Sequence, residues 1–179
     1  MALIVVVMGV SGSGKTTVGT RVADAMHCAF LDGDSLHPAA NVERMRRGIP
    51  LTDVDRAPWL AAIHARLVEA FTHGTCLVVG CSALRQSYRT VLAEGVPITW
   101  VYLKGSEALI RTRLQHRTGH YMKADMLASQ FEALEEPSDA LVVDISQSPR
   151  AIAEQVVAEL RGSAHADPAG ATERWKGQL

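Results

Sequence analysis

Residues 9–16 read Gly9-Val10-Ser11-Gly12-Ser13-Gly14-Lys15-Thr16, glycines placed ahead of a Lys-Thr pair in the spacing that suits a polyphosphate. Side chains alone cannot crowd closely enough around linked phosphates. Glycines let the backbone wrap them so that consecutive N–H groups point inward. A helix that follows adds the positive end of its dipole. Lys15 is then placed to bridge the β- and γ-phosphates of ATP, and the Thr16 hydroxyl to ligate Mg²⁺. We therefore assign Gly9, Val10, Ser11, Gly12, Ser13, Gly14, Lys15, Thr16 and Thr17 to the nucleotide. The bland alternative is a chance glycine-rich turn.

Asp32-Gly33-Asp34 is the second constellation. Phosphoryl transfer needs an acidic shell for magnesium and a base or orienter for the attacking oxygen. Asp32 is expected to serve the metal and Asp34 the acceptor hydroxyl, although Asp-Gly is also a common turn signal. A third stretch, residues 108–124, holds Arg111, Arg113, Arg117, Lys123, His116 and His120 with no acidic residue. A cationic segment around Gly119 fits a lid that neutralises charge on the transferring group. Arg117 is expected to act in catalysis and Arg113 at the nucleotide, while Arg111 suits a solvated helix face.

The elements that must position these residues are legible as runs and periods. Leu3-Ile4-Val5-Val6-Val7-Met8 reads as a strand covered on both faces, and a helix is expected from Lys15 with Val18, Val22 and Met26 along one side. Ala29-Phe30-Leu31 is a short strand ending at Asp32. Leu60, Ile63, Leu67 and Phe71 describe a helix with Pro58 in its first turn. Strands are expected over 76–79, 98–103 and 140–143, with helices around 84–92, after Ser106 and after Ser148-Pro149. This alternation predicts an α/β fold: a mostly parallel five-stranded sheet with helices on both faces and a mobile lid.

The remaining features bound the answer. A chain of 179 residues suits one domain, over 1–161, with the lid at 111–124 and the acceptor region at 34–60. Residues 162–179 turn Gly/Ala/Pro-rich and polar without periodicity, and read as a flexible tail. A net charge of -1 implies no general attraction to nucleic acid or to a membrane surface. The apolar residues 1–8 are too short to span a bilayer, and no basic flank marks a signal peptide. Cys28, Cys76 and Cys81 lack C-x-x-C spacing and are odd in number; we expect free thiols in a reducing, cytoplasmic setting. There is no Asn-Lys-x-Asp stretch for reading guanine, and the strand at 76–79 ends in Gly80-Cys81-Ser82 rather than an acid, unlike a motor ATPase.

Taken with Phe30-Leu31-Asp32-Gly33-Asp34, Leu36-His37-Pro38, 48–53, 55–60, Cys81-Ser82-Ala83-Leu84, Tyr88-Arg89, 102–105, Gly119-His120 and 129–137, the cradle resembles the small P-loop type of the gluconokinase family. That family is related in fold to shikimate and nucleoside monophosphate kinases, and the likeness runs from about Ile4 to Leu160. It implies transfer of the ATP γ-phosphate to the 6-hydroxyl of D-gluconate, with Mg²⁺, and a homodimer. A polyol carboxylate needs a cation and several hydrogen-bonding groups. Arg56, Arg85 and Arg89 are candidates for the carboxylate, and His37 and Tyr88 for the hydroxyls. The alternatives stay open: Arg56 paired with Asp53 or Asp55, Tyr88 simply packed, His37 capping the next helix. The family often has lysine where Arg44 and Arg85 stand, and Arg46-Arg47 receive no role. Another small-acceptor kinase, such as adenylylsulfate kinase, is the nearest rival, ahead of a shikimate-like kinase; a switch without transfer activity is the rival from another class.

Overall fold

A computed structural model describes residues 2–115 and 124–166 of the chain. In order, the elements are β1 (Ile4–Met8), α1 (Lys15–Met26), β2 (Ala29–Asp32), a 3-10 turn (Gly33–Leu36), α2 (Ala39–Arg46), α3 (Asp53–Thr72) and β3 (Leu77–Gly80). Then come α4 (Gln86–Ala93), β4 (Thr99–Lys104), α5 (Glu107–Gln115), α6 (Ala124–Ala133), β5 (Leu141–Asp144) and α7 (Pro149–Ala166). The five strands pair in the order β2-β3-β1-β4-β5, every neighbouring pair parallel. The α/β expectation is met. No helix among the described residues is long and apolar enough to cross a membrane.

The β-branched run makes β1 the centre of the sheet, and strand periodicity divides it between two cores. Val5 and Val7 pack with Val18 and Val22 of α1 and Ile152 and Val156 of α7. Ile4, Val6 and Met8 pack with Trp59, Ile63 and Leu67 of α3 and Leu92 of α4. Because β1 lies between β3 and β4, its outgoing loop emerges where the strand order switches direction, the place ligands occupy in open α/β sheets.

The acceptor region departs most from expectation. α3 begins at Asp53, well before Leu60: Thr52 Oγ1 accepts from the Asp55 amide at 3.2 Å, and the Asp55 carboxylate takes the Thr52 N–H at 2.8 Å. This is a reciprocal cap with Asp in place of the usual Glu or Gln. Pro58 therefore lies inside the helix, not in its first turn. An interior proline costs about 3 kcal/mol. Burial of Trp59, Leu60, Ile63 and Leu67 outweighs it, at about 1.5–3 kcal/mol per large apolar side chain. α2 and α6, absent from the periodicity reading, are also helical. The buried Asn41 docks α2 by donating Nδ2 to the Asp55 carbonyl at 2.6 Å.

The cysteine expectation is corrected. Cys28 and Cys76 form a disulfide with Cα atoms 4.9 Å apart, and only Cys81 is a free, buried thiol. Register explains the pairing: Ala29 lies opposite Leu77 in the parallel β2–β3 pair, so the residues just before them are neighbours. The bond removes cysteine usage as support for a reducing compartment. It closes a loop over a sequence separation of 48 residues, which restricts the unfolded chain by about 4 kcal/mol in the chain-entropy account. Reduction with a thiol reductant, or the double change Cys28→Ser/Cys76→Ser, is expected to lower the unfolding free energy from urea titration by an amount approaching this, with a matching fall in the midpoint. An unchanged midpoint would show that the bond contributes nothing to stability.

Candidate active site

The cradle follows from β1 ending at Met8 and α1 beginning at Lys15. Gly12 and Gly14 adopt φ of 82° and 101°, and Gly9 has φ 147° with room for nothing larger: a Cβ there would meet Ser13 Oγ at 2.8 Å. Gly14 occupies the cap position of α1 and no side chain caps the helix, so its N-terminal end is presented to the loop's concavity. Ser13 is 1% exposed and its hydroxyl has no hydrogen-bond partner. Lys15 Nζ donates to the Val10 carbonyl at 3.0 Å, folding over the loop. These are the features of a polyphosphate site.

Asp32 caps the 3-10 turn. One carboxylate oxygen accepts from the Thr16 hydroxyl at 3.1 Å, and the other takes the Asp34 amide at 3.1 Å. The Thr16–Asp32 pair thus spans the two motifs read separately in the sequence. Among the described residues no group of three or more His, Cys, Asp or Glu could hold a metal. A hydroxyl beside one carboxylate fits Mg²⁺, which keeps most of its waters and takes few protein ligands in phosphate sites. Gly33 is wedged under the turn: a Cβ would come within 2.7 Å of the Gly80 carbonyl of β3. Burial pushes the Cys81 thiol up to about 12, and that group lies within electrostatic reach of Asp34, Lys15 and Asp32. The three functional side chains therefore converge around the carboxyl end of β3, and Cys81 stays an inert thiol.

The acceptor side is organised by Trp59. Its indole N–H donates to the Gly33 carbonyl at 2.7 Å, and its ring stacks on His37 at 4.3 Å with planes 9° apart. Burial lowers the His37 pKa below the ordinary 6.5; Asp34 opposes this shift and Arg56 adds to it. His37 Nδ1 is buried without a partner, so the imidazole is held with an unspent polar atom. Beyond it, the Tyr88 hydroxyl donates to Asp53 Oδ1 at 2.5 Å, and Arg85 Nη1 lies 2.8 Å from Asp53 Oδ2. Arg56 Nη1 is 3.7 Å from the same carboxylate and 3.4 Å from the Tyr88 hydroxyl. The structure brings His37, Arg56, Arg85 and Tyr88 together around the turn that holds Asp34.

Arg89 lies apart from this group, its guanidinium engaged by the chain's own carbonyls and by Gln86. It is 3% exposed, with Nη1 donating to the Ala83 and Leu84 carbonyls at 3.0 and 3.2 Å and Nη2 to Gln86 Oε1 at 2.7 Å. Its guanidinium braces the loop between β3 and α4, where Ala83 sits at φ 42°. On the nucleotide side, a cleft of about 410 Å³ opens between the loop, the end of α5 and the start of α7, lined by Gly12, Thr17, Val18, Arg113, Pro149 and Ile152. Its size and mixed lining suit a base. Arg113 donates to the Ile145 carbonyl at its edge. A larger groove of about 760 Å³ between α1 and α7, lined by Arg21 and Arg161 among others, holds none of the site residues. Arg117, with His116, Gly119, His120 and Lys123, lies outside the described residues.

The family model described as an AAA domain matches residues 4–140. The thermoresistant gluconokinase of Escherichia coli is 51% identical over 150 residues, covering 80% of this chain and 85% of that protein. The chain belongs to the gluconokinase family. A crystal structure of a gluconokinase from Sinorhizobium meliloti superposes with a TM-score of 0.83 at 45% identity, covering 91% of this chain and 94% of that one. The APS kinase of Mycobacterium tuberculosis, at 20% identity and a TM-score of 0.65 over 89% of this chain and 98% of its own, shares the fold alone.

Within this gluconokinase-family site, one contact was missed from sequence. Gln130 of α6 accepts the Ser11 amide of the phosphate loop at 2.6 Å. Nearby, Glu135 accepts the Gln86 amide at 2.6 Å, and Glu136 pairs with Lys104 at 2.8 Å and Tyr102 at 3.2 Å. The 129–137 stretch carries the family resemblance, yet nothing in its composition assigned it a task. Gln130 acts as a positioning residue, through the loop rather than on substrate. Gln130→Ala is expected to raise KM for ATP by up to about tenfold, the worth of one half-buried hydrogen bond, with the smaller effect on kcat. Gln130→Glu keeps an acceptor and should recover part of the loss. Equal effects on both parameters, without recovery, would remove the positioning role.

A pH prediction follows from His37. Its folded pKa lies below the unfolded 6.5, so between those values the unfolded chain binds the extra proton and stability falls as pH drops. The urea midpoint of the wild type should therefore decline more steeply below about pH 6.5 than that of His37→Asn. Identical slopes would place the imidazole in water.

Proposed function

We propose that this chain is a gluconokinase that transfers the γ-phosphate of ATP to the 6-hydroxyl of D-gluconate, giving 6-phosphogluconate and ADP. The observation that carries the reading is the Thr16–Asp32 contact at 3.1 Å, which sets the nucleotide cradle beside the turn bearing Asp34 and the Arg56–Arg85–Tyr88 group. The glycine loop and the start of α1 would hold the β- and γ-phosphates, with Lys15 between them. Thr16 and Asp32 are the residues suited to Mg²⁺, which when bound supplies neutralisation of phosphate charge. Asp34 orients the acceptor hydroxyl and takes its proton as the new O6–P bond forms and the bond from the γ-phosphorus to the β–γ bridging oxygen breaks. Arg85 and Arg56 would receive the gluconate carboxylate, and His37 and Tyr88 its hydroxyls. Arg113, which lines the nucleotide cleft, belongs to the nucleotide side, and Arg117 to catalysis as part of the acid-free cationic stretch of residues 108–124. A homodimer rests on the family likeness, and a cytoplasmic location on the absence of a signal-peptide pattern in residues 1–8.

The test is an ATP-coupled assay with gluconate, shikimate, adenylylsulfate and nucleoside monophosphates as acceptors, run on wild type and Asp34→Asn. Turnover is expected with gluconate only. The variant should lose about 10²–10⁴-fold in kcat, the usual worth of a positioned acid or base, while still binding ATP. Turnover with a nucleotide acceptor alone would overturn the gluconate reading, ATP binding without any turnover would favour a switch, and near-normal kcat in the variant would remove Asp34 from the mechanism.

A further inference from the structure

Asp53 takes part in no step assigned above, yet Tyr88, Arg85 and Arg56 are all aimed at it. Its carboxylate receives the Tyr88 hydroxyl and Arg85, with Arg56 next in reach at 3.7 Å. Both guanidinium carbons lie 5.8 Å from the centre of the Tyr88 ring, so the two cations share one aromatic ring. Two like charges held this close repel unless an anion sits between them. Tyr88 itself is 8% exposed and fixed. The Asp53 side chain, in contrast, is 60% exposed and projects from the first residue of α3, where a turn of the side chain takes it into water with no backbone movement.

We infer that Asp53 is a built-in counter-anion of the acceptor pocket, occupying the place that the substrate's carboxylate takes and yielding it when an anionic acceptor binds. The inference rests on the reading of Arg85 and Arg56 as carboxylate receptors. Exchange works only between like groups. A carboxylate replaces the Asp53 carboxylate at both arginines and at the tyrosine, so the cations never go unpaired. A neutral polyol offers hydroxyls in return for an ion pair and leaves Asp53 in place. Asp53 thus keeps the cations of the empty pocket paired until an anionic acceptor takes its place. The cost to the correct acceptor is small, because ion pairs that face water are worth at most about 1 kcal/mol.

The experiment measures KM and kcat for gluconate and for the hexitol that lacks the carboxylate, in wild type, Asp53→Asn, Arg85→Ala and the double variant. Asn keeps an acceptor for Tyr88 and removes the competing charge. Asp53→Asn is expected to lower KM for gluconate about two- to fivefold, the fold-change equivalent of such a pair. The effect should fall on KM rather than kcat, and the hexitol should gain nothing. A KM that rises or stays the same would overturn the proposal and make Asp53 a strut for the arginines. Comparing the two single variants separates the two levels of inference. If Arg85→Ala leaves KM for gluconate unchanged, the receptor reading itself fails. If Arg85→Ala raises KM and Asp53→Asn does not lower it, only the counter-anion fails.

Discussion

The indole N–H of Trp59 bonded to the Gly33 carbonyl is the contact on which the two halves of the site depend. Gly33 has no room for a side chain, since a Cβ there would meet the Gly80 carbonyl of β3 at 2.7 Å. The turn bearing Asp32 and Asp34 is therefore located from below by the sheet and from the side by α3. Trp59 is 2% exposed, so the bond is made where water does not compete. The same ring carries His37 on its face. One buried side chain thus sets the spacing between the phosphate cradle, the acidic turn and the acceptor pocket.

The two cores divide the labour. The face packed by α1 and α7 supports the nucleotide cleft, and the face packed by α3 and α4 supports the acceptor region. β1 contributes alternate residues to both, so a displacement on one side is felt at the loop between them. Links across the top run through short polar contacts: Thr16 to Asp32, Ser11 to Gln130, and Gln86 to Glu135. They join elements far apart in sequence without burying much apolar area. Such contacts can be remade as the site fills, which packed side chains cannot do as readily.

Much of this was legible before any coordinates. The cradle, the parallel sheet and the convergence of Asp32 and Asp34 with Lys15 follow from local spacing and from strand periodicity, both short-range properties. What escaped has identifiable causes. Thr52 and Asp55 form a cap that differs from the usual Glu or Gln pattern, and Pro58 drew the expected start of α3 downstream. Arg85 and Arg89 are four residues apart at the start of one helix, and composition cannot say which reaches the pocket and which is turned under the loop. Cys28 and Cys76 become neighbours only through the β2–β3 register, a long-range relation. Gln130 bonds a backbone amide, which leaves no complementary residue type in the sequence to reveal it.

The position of the disulfide has a consequence for how such a protein can be altered. Asp34, His37 and Arg56 ride, together with Asp32, on a segment that leaves the body of the molecule at Cys28 and returns at Cys76, two points 4.9 Å apart, while Arg85 and Tyr88 of the acceptor side lie beyond it. That segment is in this sense a cassette with adjoining ends, threaded into a nucleotide-binding frame that is otherwise continuous. Its contents can be rewritten, residue by residue or whole, without changing the distance the frame must bridge. Recombination and selection can act on the choice of acceptor while the machinery that grips the donor phosphates stays as it is.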